Sequence, residues 1–357
     1  MRKRLPRISD LPLEARIAQL FVVGFEGTDV PRSLRSLLEE RGFGGVILFA
    51  RNVKSAPQLK RLCGRIAALD TALPPIISVD QEGGPVMRLR VPPFTPWPAA
   101  GDVARYARRT GDTGTLRRLG QAMGRELAAV GIHWNFAPVL DVNTNLRNPV
   151  IGVRAFGTRP IDAGRLALAV ERGLRSAGIL STGKHFPGHG DTIDDSHVSL
   201  PRVKRSARSL SRIELAPFRA AVRARIPALM TAHVLYPAWD RKLPATFSPA
   251  ILQGILRKRL GFRGAIVTDD LSMAGARRGQ TIEEASFLAL RAGADVLLIC
   301  HDPGAQRRAH RYLVDRAKRG DLSEKRINDA LKRMIALKRR YVCGRGGERR
   351  PLLSRVG

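Results

Sequence analysis

Between Lys184 and His197 the chain reads Lys-His-Phe-Pro-Gly-His-Gly-Asp-Thr-Ile-Asp-Asp-Ser-His, with three histidines and three aspartates in one short stretch. Imidazole and carboxylate groups exchange protons near neutral pH, hold hydroxyl groups and ligate metals. A strand-like run over 178–183 leads into it. Glycine and proline interrupt regular structure, so a loop is predicted that turns these side chains toward a cleft. Asp195 and His197 stand two apart, and in extended backbone their side chains project to the same side. A carboxylate beside an imidazole favours the protonated ring and selects its tautomer. That pairing suits a group that gives up a proton and later recovers one.

Eight short apolar runs could position such a loop, at 20–24, 45–49, 75–79, 133–140, 179–183, 228–233, 265–268 and 295–300. They alternate with segments of helical period, which predicts βα units around a parallel sheet. Ser248 is placed to cap a helix, Pro249 to fill its first position and Gly261 to end it. Ser323 is a second N-cap, opening a basic amphipathic helix that runs to Arg340. No strand is followed by the Gly-x-Gly-x-x-Gly of nucleotide-binding open sheets. The expected fold class is therefore α/β, a single-domain (β/α)8 barrel of the TIM type. Residues 1–340 are expected to form that catalytic barrel, and 341–357 a basic C-terminal tail.

Barrel chemistry gathers where the strands end at the C-terminal face. Asp80, Asp141 with Asn143, Lys184 with His185, His233, Asp269 with Asp270, and His301 fall at the ends of six of the eight predicted strands. This convergence marks an active site. His185, His189, Asp191 and His197 could be metal ligands. Metal-dependent barrel hydrolases, however, carry His-x-His at the end of the first strand, where this chain has Val22-Val23-Gly24-Phe25. No metal and no cofactor is expected. Retaining glycosyl transfer needs instead a carboxylate nucleophile and an acid/base about 5 Å away. Asp269 and Asp270 are equal candidates for the nucleophile. Strand alternation sends them to opposite faces, and nothing in the sequence sets which one points inward. The other is expected to cap the next helix.

A chain of 357 residues with 44% hydrophobic content can bury a substantial core. Its longest apolar runs are too short to cross a bilayer. The basic start Met1-Arg2-Lys3-Arg4 resembles a signal peptide, but Pro6, Asp10, Glu14 and Arg16 break any apolar stretch behind it. A cytoplasmic protein with no membrane partner is expected. Cys63, Cys300 and Cys343 are scattered and odd in number, which favours reduced thiols. The formal net charge is +31, a field that would concentrate anions of any kind. Aromatics make up only 5%, and no basic heptad, zinc-finger spacing or RNP-like motif is present. A solvated basic surface is the favoured reading over nucleic-acid binding.

The stretch 184–191 followed by Asp195-Ser196-His197 closely resembles the signature of family 3 glycoside hydrolases of the β-N-acetylglucosaminidase branch. Three further stretches match in the family's order: Val79-Asp80-Gln81-Glu82-Gly83-Gly84, Asn148 through Gly157, and Thr268-Asp269-Asp270-Leu271-Ser272-Met273. The resemblance implies that Asp269 is the nucleophile, His197 the acid/base and Asp195 its partner. It implies that Asp80, Arg88, Arg154, Lys184 and His185 bind substrate hydroxyls, with His233 and Met273 lining the pocket. The chain departs from the usual pattern at Pro85, where an arginine commonly follows the glycine pair. The length resembles that of the single-domain bacterial enzymes of peptidoglycan recycling. The implied reaction removes non-reducing β-linked N-acetylglucosamine, with retention, from anionic muropeptides carrying 1,6-anhydro-N-acetylmuramic acid. A monomer with this small-molecule substrate is expected. A phosphorolytic variant and a non-catalytic binding protein are the alternatives.

Overall fold

The computed structural model describes residues 5–194, 200–277 and 279–343. Eight parallel strands close on themselves in chain order: β1 (Phe21–Val23), β2 (Gly45–Leu48), β3 (Ile76–Val79), β4 (Trp134–Asn135), β5 (Leu180–Phe186), β6 (Ala228–Thr231), β7 (Ala265–Asp270) and β8 (Val296–Ile299). Helices return the chain between strands on the outside, so the expected α/β barrel is the fold observed. Side chains alternate between two apolar regions. Val22, Ile47, Ile76, Trp134, Leu180, Ala265, Val267 and Leu298 fill the barrel interior. Phe21, Val23, Val46, Leu48 and Ile266 pack against the surrounding helices.

The expected strand over 133–140 shortens to Trp134–Asn135, with one further bridge from Val139 to Lys184. Pro138 interrupts it, because it has no N–H to give to the ladder. The expected loop beginning at Lys184 is also corrected. Lys184, His185 and Phe186 belong to β5, and the chain leaves the strand only at Pro187. The expected helix punctuation appears as read. The Ser248 hydroxyl accepts the Ile251 N–H, and Gly261 takes the left-handed conformation (φ +73°) after the helix Ala250–Arg259.

The last helix, Glu324–Tyr341, starts with the Ser323 hydroxyl accepting the Arg326 N–H. Met334, Leu337, Tyr341, Val342 and Cys343 close the lower end of the barrel, so the packed chain continues to Cys343. The expected boundary at 340 therefore falls inside this packed helix end. All three cysteines are buried. No helix among the described residues is long and apolar enough to cross a membrane.

Lys338 is fully buried in this floor, its ammonium donating to Gln19 Oε1 at 2.6 Å. Among the described residues it pairs with no carboxylate, and burial pushes its pKa down to about 7. The unfolded chain binds this proton up to the ordinary lysine value, while the folded chain releases it near pH 7. Between those pH values folding releases a proton, so stability gains as pH rises. We expect Lys338→Met to raise the melting temperature by several degrees at pH 6–7, with the advantage shrinking toward pH 10. Parallel melts across that range, showing no change in the difference with pH, would contradict a buried neutral amine.

Candidate active site

The functional side chains stand at the C-terminal mouth, and local backbone geometry decides which of them point inward. In β7, Ala265 and Val267 face the barrel axis, and Asp269 continues on that side. The pairing of β7 with β8 slips between Val267 and Asp270, three residues opposite two, so the strand bends where it meets the site. Asp270 turns to structural work. Its Oδ1 accepts the N–H groups of Ser272 and Cys300, tying the following turn to the end of β8. The two neighbours are thus told apart at the innermost cavity, which Asp269 lines and Asp270 does not, although both reach the cavity beside it.

The same device works in β5. Its register with β6 slips between Gly183 and Phe186, and Lys184 and His185 both line the cavity although strict alternation would separate them. That cavity, about 110 Å³, is lined by Asp80, Glu82, Val86, Arg88, Val150, Arg154, Lys184, His185, His189 and Asp269. All five hydroxyl-binding candidates are present. A neighbouring cavity of about 200 Å³ shares Asp80, Arg88 and Asp269 and adds apolar walls from Phe49, Met230, Met273 and Leu298.

Glu82 is the residue the sequence reading missed as part of the site. Its carboxylate accepts two bonds from Arg154, both at 2.8 Å, and lies 2.6 Å from Lys184 Nζ. The glutamate, arginine and lysine side chains are 4%, 11% and 3% exposed, so solvent screens the network little. Burial alone would raise the Glu82 pKa, but Arg154 and Lys184 hold it well below the usual carboxylate range. Lys184 also donates to Asp80 Oδ1 at 2.8 Å. Burial disfavours its charge, yet Asp80 and Glu82 keep it above the ordinary lysine value. The two-residue spacing of Asp80 and Glu82, which puts both on one side of an extended chain, was the available signal.

Asp141 has a second supporting role. It accepts the backbone N–H groups of His185 and His189, and Oδ2 lies 2.7 Å from His185 Nδ1. With Nδ1–H donated to this carboxylate, His185 presents Nε2 toward Arg154 and the cavity. His189 is buried, its Nδ1 2.9 Å from the Thr192 hydroxyl, and burial pushes its pKa down to about 4. Asp191 pairs with Arg205. Among the described residues no group of three or more His, Cys, Asp or Glu is arranged to hold a metal.

The Asp269 carboxyl is pushed up by burial. His185, His233, the Asp270 N–H and Lys184 more than reverse this, and its pKa lies below the ordinary value. A ready anion faces the cavity. His233 does not line it as expected. It sits beneath, with Nε2 3.1 Å from the Asp270 carbonyl and Nδ1 2.8 Å from the Thr246 hydroxyl, and so braces the backbone under the nucleophile candidate. Burial lowers its pKa against the opposing pull of Asp269 and Asp270. Arg88 lies over the Phe49 ring, 5.3 Å from its centre, and 3.7 Å from Asp80. Pro85 is exposed at a tight turn in which Glu82 and Gly83 donate to the Val86 carbonyl, and it leaves Arg88 in the cavity wall. Gly83 (φ +104°) is required there, since a Cβ would meet the Pro98 carbonyl at 2.3 Å. Asn143 lines neither of these two cavities, whereas His301 lines the second, beside Phe49. Asp195 and His197 lie outside the described residues.

Residues 12–337 match the family model described as the glycosyl hydrolase family 3 N-terminal domain. A β-hexosaminidase of Alkalilimnicola ehrlichii is 43% identical over 296 residues, covering 82% of this chain and 84% of that protein. A solved family 3 β-N-acetylglucosaminidase from a Paenibacillus species gives a TM-score of 0.89 at 40% identity over 93% of this chain, which spans 63% of that enzyme. NagZ from Neisseria gonorrhoeae, solved with N-trifluoroacetyl-D-glucosamine, gives 0.78 at 37% identity over 89% of each chain.

Removing one partner from a buried charge network strands the others, at a cost of roughly 3–5 kcal/mol. We expect Glu82→Ala to destabilise the fold by about that amount, with Glu82→Gln milder because one hydrogen-bond acceptor remains. Urea unfolding of the two variants tests this; Glu82→Ala as stable as wild type would remove the network from its central place.

Proposed function

The chain belongs to glycosyl hydrolase family 3, and from that membership we propose that it is a retaining exo-β-N-acetylglucosaminidase. The observation that carries this reading is Asp269: an ionised carboxylate at the inner wall of a cavity otherwise lined with hydroxyl-binding charges. Asp269 Oδ attacks the anomeric carbon of a non-reducing N-acetylglucosamine. The protonated His197 ring, held by Asp195, gives its proton to the departing glycosidic oxygen. The covalent glycosyl-enzyme is then resolved by water, whose proton returns to the same imidazole. Asp80, Arg154, Lys184 and His185 fix the ring hydroxyls, and Arg88 lies where the two cavities meet. Glu82 and Asp80 take up the ammonium of Lys184, so it does not pair directly with the nucleophile, which His185, His233 and the Asp270 N–H help keep ionised.

The substrates in this reading are muropeptides ending in 1,6-anhydro-N-acetylmuramic acid, met in the cytoplasm during peptidoglycan recycling by a monomeric enzyme. The named relatives support the N-acetylglucosamine part of this reading, and the +31 charge suits substrates bearing several carboxylates. The catalytic unit in this reading runs through the end of the last helix, and the basic residues after it serve as a tail.

The deciding assay compares an aryl N-acetyl-β-glucosaminide with the aryl β-glucoside. Preference for the former is expected, with Asp269→Asn and His197→Ala each lowering kcat by about 10²–10⁴-fold. Equal turnover of both glycosides, or full activity in Asp269→Asn, overturns the reading. Raising ionic strength from about 0.01 M to about 1 M should lower kcat/KM for an anionic muropeptide and leave a neutral aryl glycoside unchanged. A flat salt profile for both would remove electrostatic capture from the account.

A further inference from the structure

We propose that Asp191 and Arg205 are positioning residues for the acid/base, acting through the chain they bracket rather than on substrate. The proposal rests on the reading of His197 and Asp195 given above. Arg205 donates through Nε to Asp191 Oδ2 at 2.6 Å and through Nη2 to Oδ1 at 2.5 Å, a two-pronged contact between residues 14 apart. Everything between them, including the dyad positions, begins and ends at this tie.

An exposed ion pair is ordinarily worth little. This one differs in its surroundings. Asp191 is 15% exposed, and its Oδ1 lies 3.4 Å from the Thr144 hydroxyl, which also reaches Glu214 Oε1 at 3.3 Å. Glu214 is fully buried, and burial with the nearby Asp141 and Asp191 charges pushes its pKa up to about 8. Arg205 is therefore the cation facing Asp191 at a place where further negative charge is disfavoured.

Both ends of the bracketed chain are separately anchored. On the incoming side, Asn148 Nδ2 donates to the His189 carbonyl and the Thr192 hydroxyl, and Asn145 Nδ2 donates to the Thr192 carbonyl. Gly190 packs so tightly that a Cβ would meet the Val142 carbonyl at 1.7 Å. On the outgoing side, the Val203 N–H donates to the Leu235 carbonyl and the Leu235 N–H to that of Pro201. The first anchor belongs to the loop after β4, the second to the chain after β6. The Asp191–Arg205 contact joins them, and so sets the separation across which the acid/base chain must run. His189, one turn of chain before Asp191, lines the innermost cavity, so the incoming anchor is registered directly to the nucleophile's wall.

The test exploits the fact that a good leaving group needs no acid. Wild type, Arg205→Ala, Arg205→Lys and His197→Ala are assayed on 2,4-dinitrophenyl N-acetyl-β-glucosaminide and on a β-linked N-acetylglucosamine disaccharide. Rates are normalised to active sites counted from the pre-steady-state burst. We expect Arg205→Ala to lose about 10–100-fold in kcat/KM on the disaccharide and far less on the dinitrophenyl glycoside, with Arg205→Lys between it and wild type. Azide should raise its kcat on the dinitrophenyl substrate and yield the β-glycosyl azide, as expected when the general base is misplaced. Equal loss on both substrates, no loss on either, or no azide product overturns the proposal. If His197→Ala itself lacks leaving-group dependence and azide rescue, the acid/base reading fails. If His197→Ala has both and Arg205→Ala has neither, only the positioning role fails.

Discussion

Two cations, Lys184 from β5 and Arg154 from the turn after β4, are withdrawn from water at the barrel mouth, and one carboxylate, Glu82, holds both. Neither could stay charged there alone, because desolvating an ammonium or guanidinium costs more than any neutral contact returns. Asp80 completes the balance on the lysine side. The network joins the end of β3, the strand β5 and the 150–154 turn into one rigid wall. Lys184 and Asp80 therefore present a donor and an acceptor already oriented at the cavity wall.

The catalytic wall is reached by two departures from regular strand geometry. A perfect parallel ladder would send His185 away from Lys184. In β5 and in β7 the strand instead accommodates one extra residue near its C-terminal end. The chain then turns more side chains inward than strict alternation permits, and the remaining polar groups are absorbed by the backbone. Asp141 takes three bonds from His185 and His189, and Asp270 takes the N–H groups of Ser272 and Cys300. These two carboxylates thus fix the backbone and side chains around the cavity.

The two ends of the barrel treat charge in opposite ways. At the mouth Glu82, Lys184 and Arg154 meet counter-ions and remain ionised. At the floor Lys338 donates to the Gln19 amide and, among the described residues, pairs with no carboxylate, so burial drives the amine toward its neutral form. The apolar residues Met334, Leu337 and Tyr341 around it make the floor a packing surface, in keeping with a barrel whose stability and chemistry lie at opposite faces.

Most of the architecture could be read from residue order. Apolar runs at regular spacing, polar groups after them, and caps such as Ser323 and Gly261 depend on local preferences that neighbours along the chain express. The identities of Asp80, Lys184, His185 and Asp269 were legible for the same reason, since strand ends are local features. The short β4 was overread because Pro138 removes a ladder donor inside an otherwise strand-like run. Glu82 escaped notice as a site member, and the bracing role of Asp141 could not be read, because their importance lies in partners 72 and 44 residues away. What the chain's order determined by itself was the closed barrel and the roster of ionisable groups at its mouth. Which of Asp269 and Asp270 faces inward, and which carboxylate stabilises which cation, depended on strand register and burial. Those arise only when distant segments exclude water together, because charge pairing acts through space and a one-residue slip reverses every side chain beyond it.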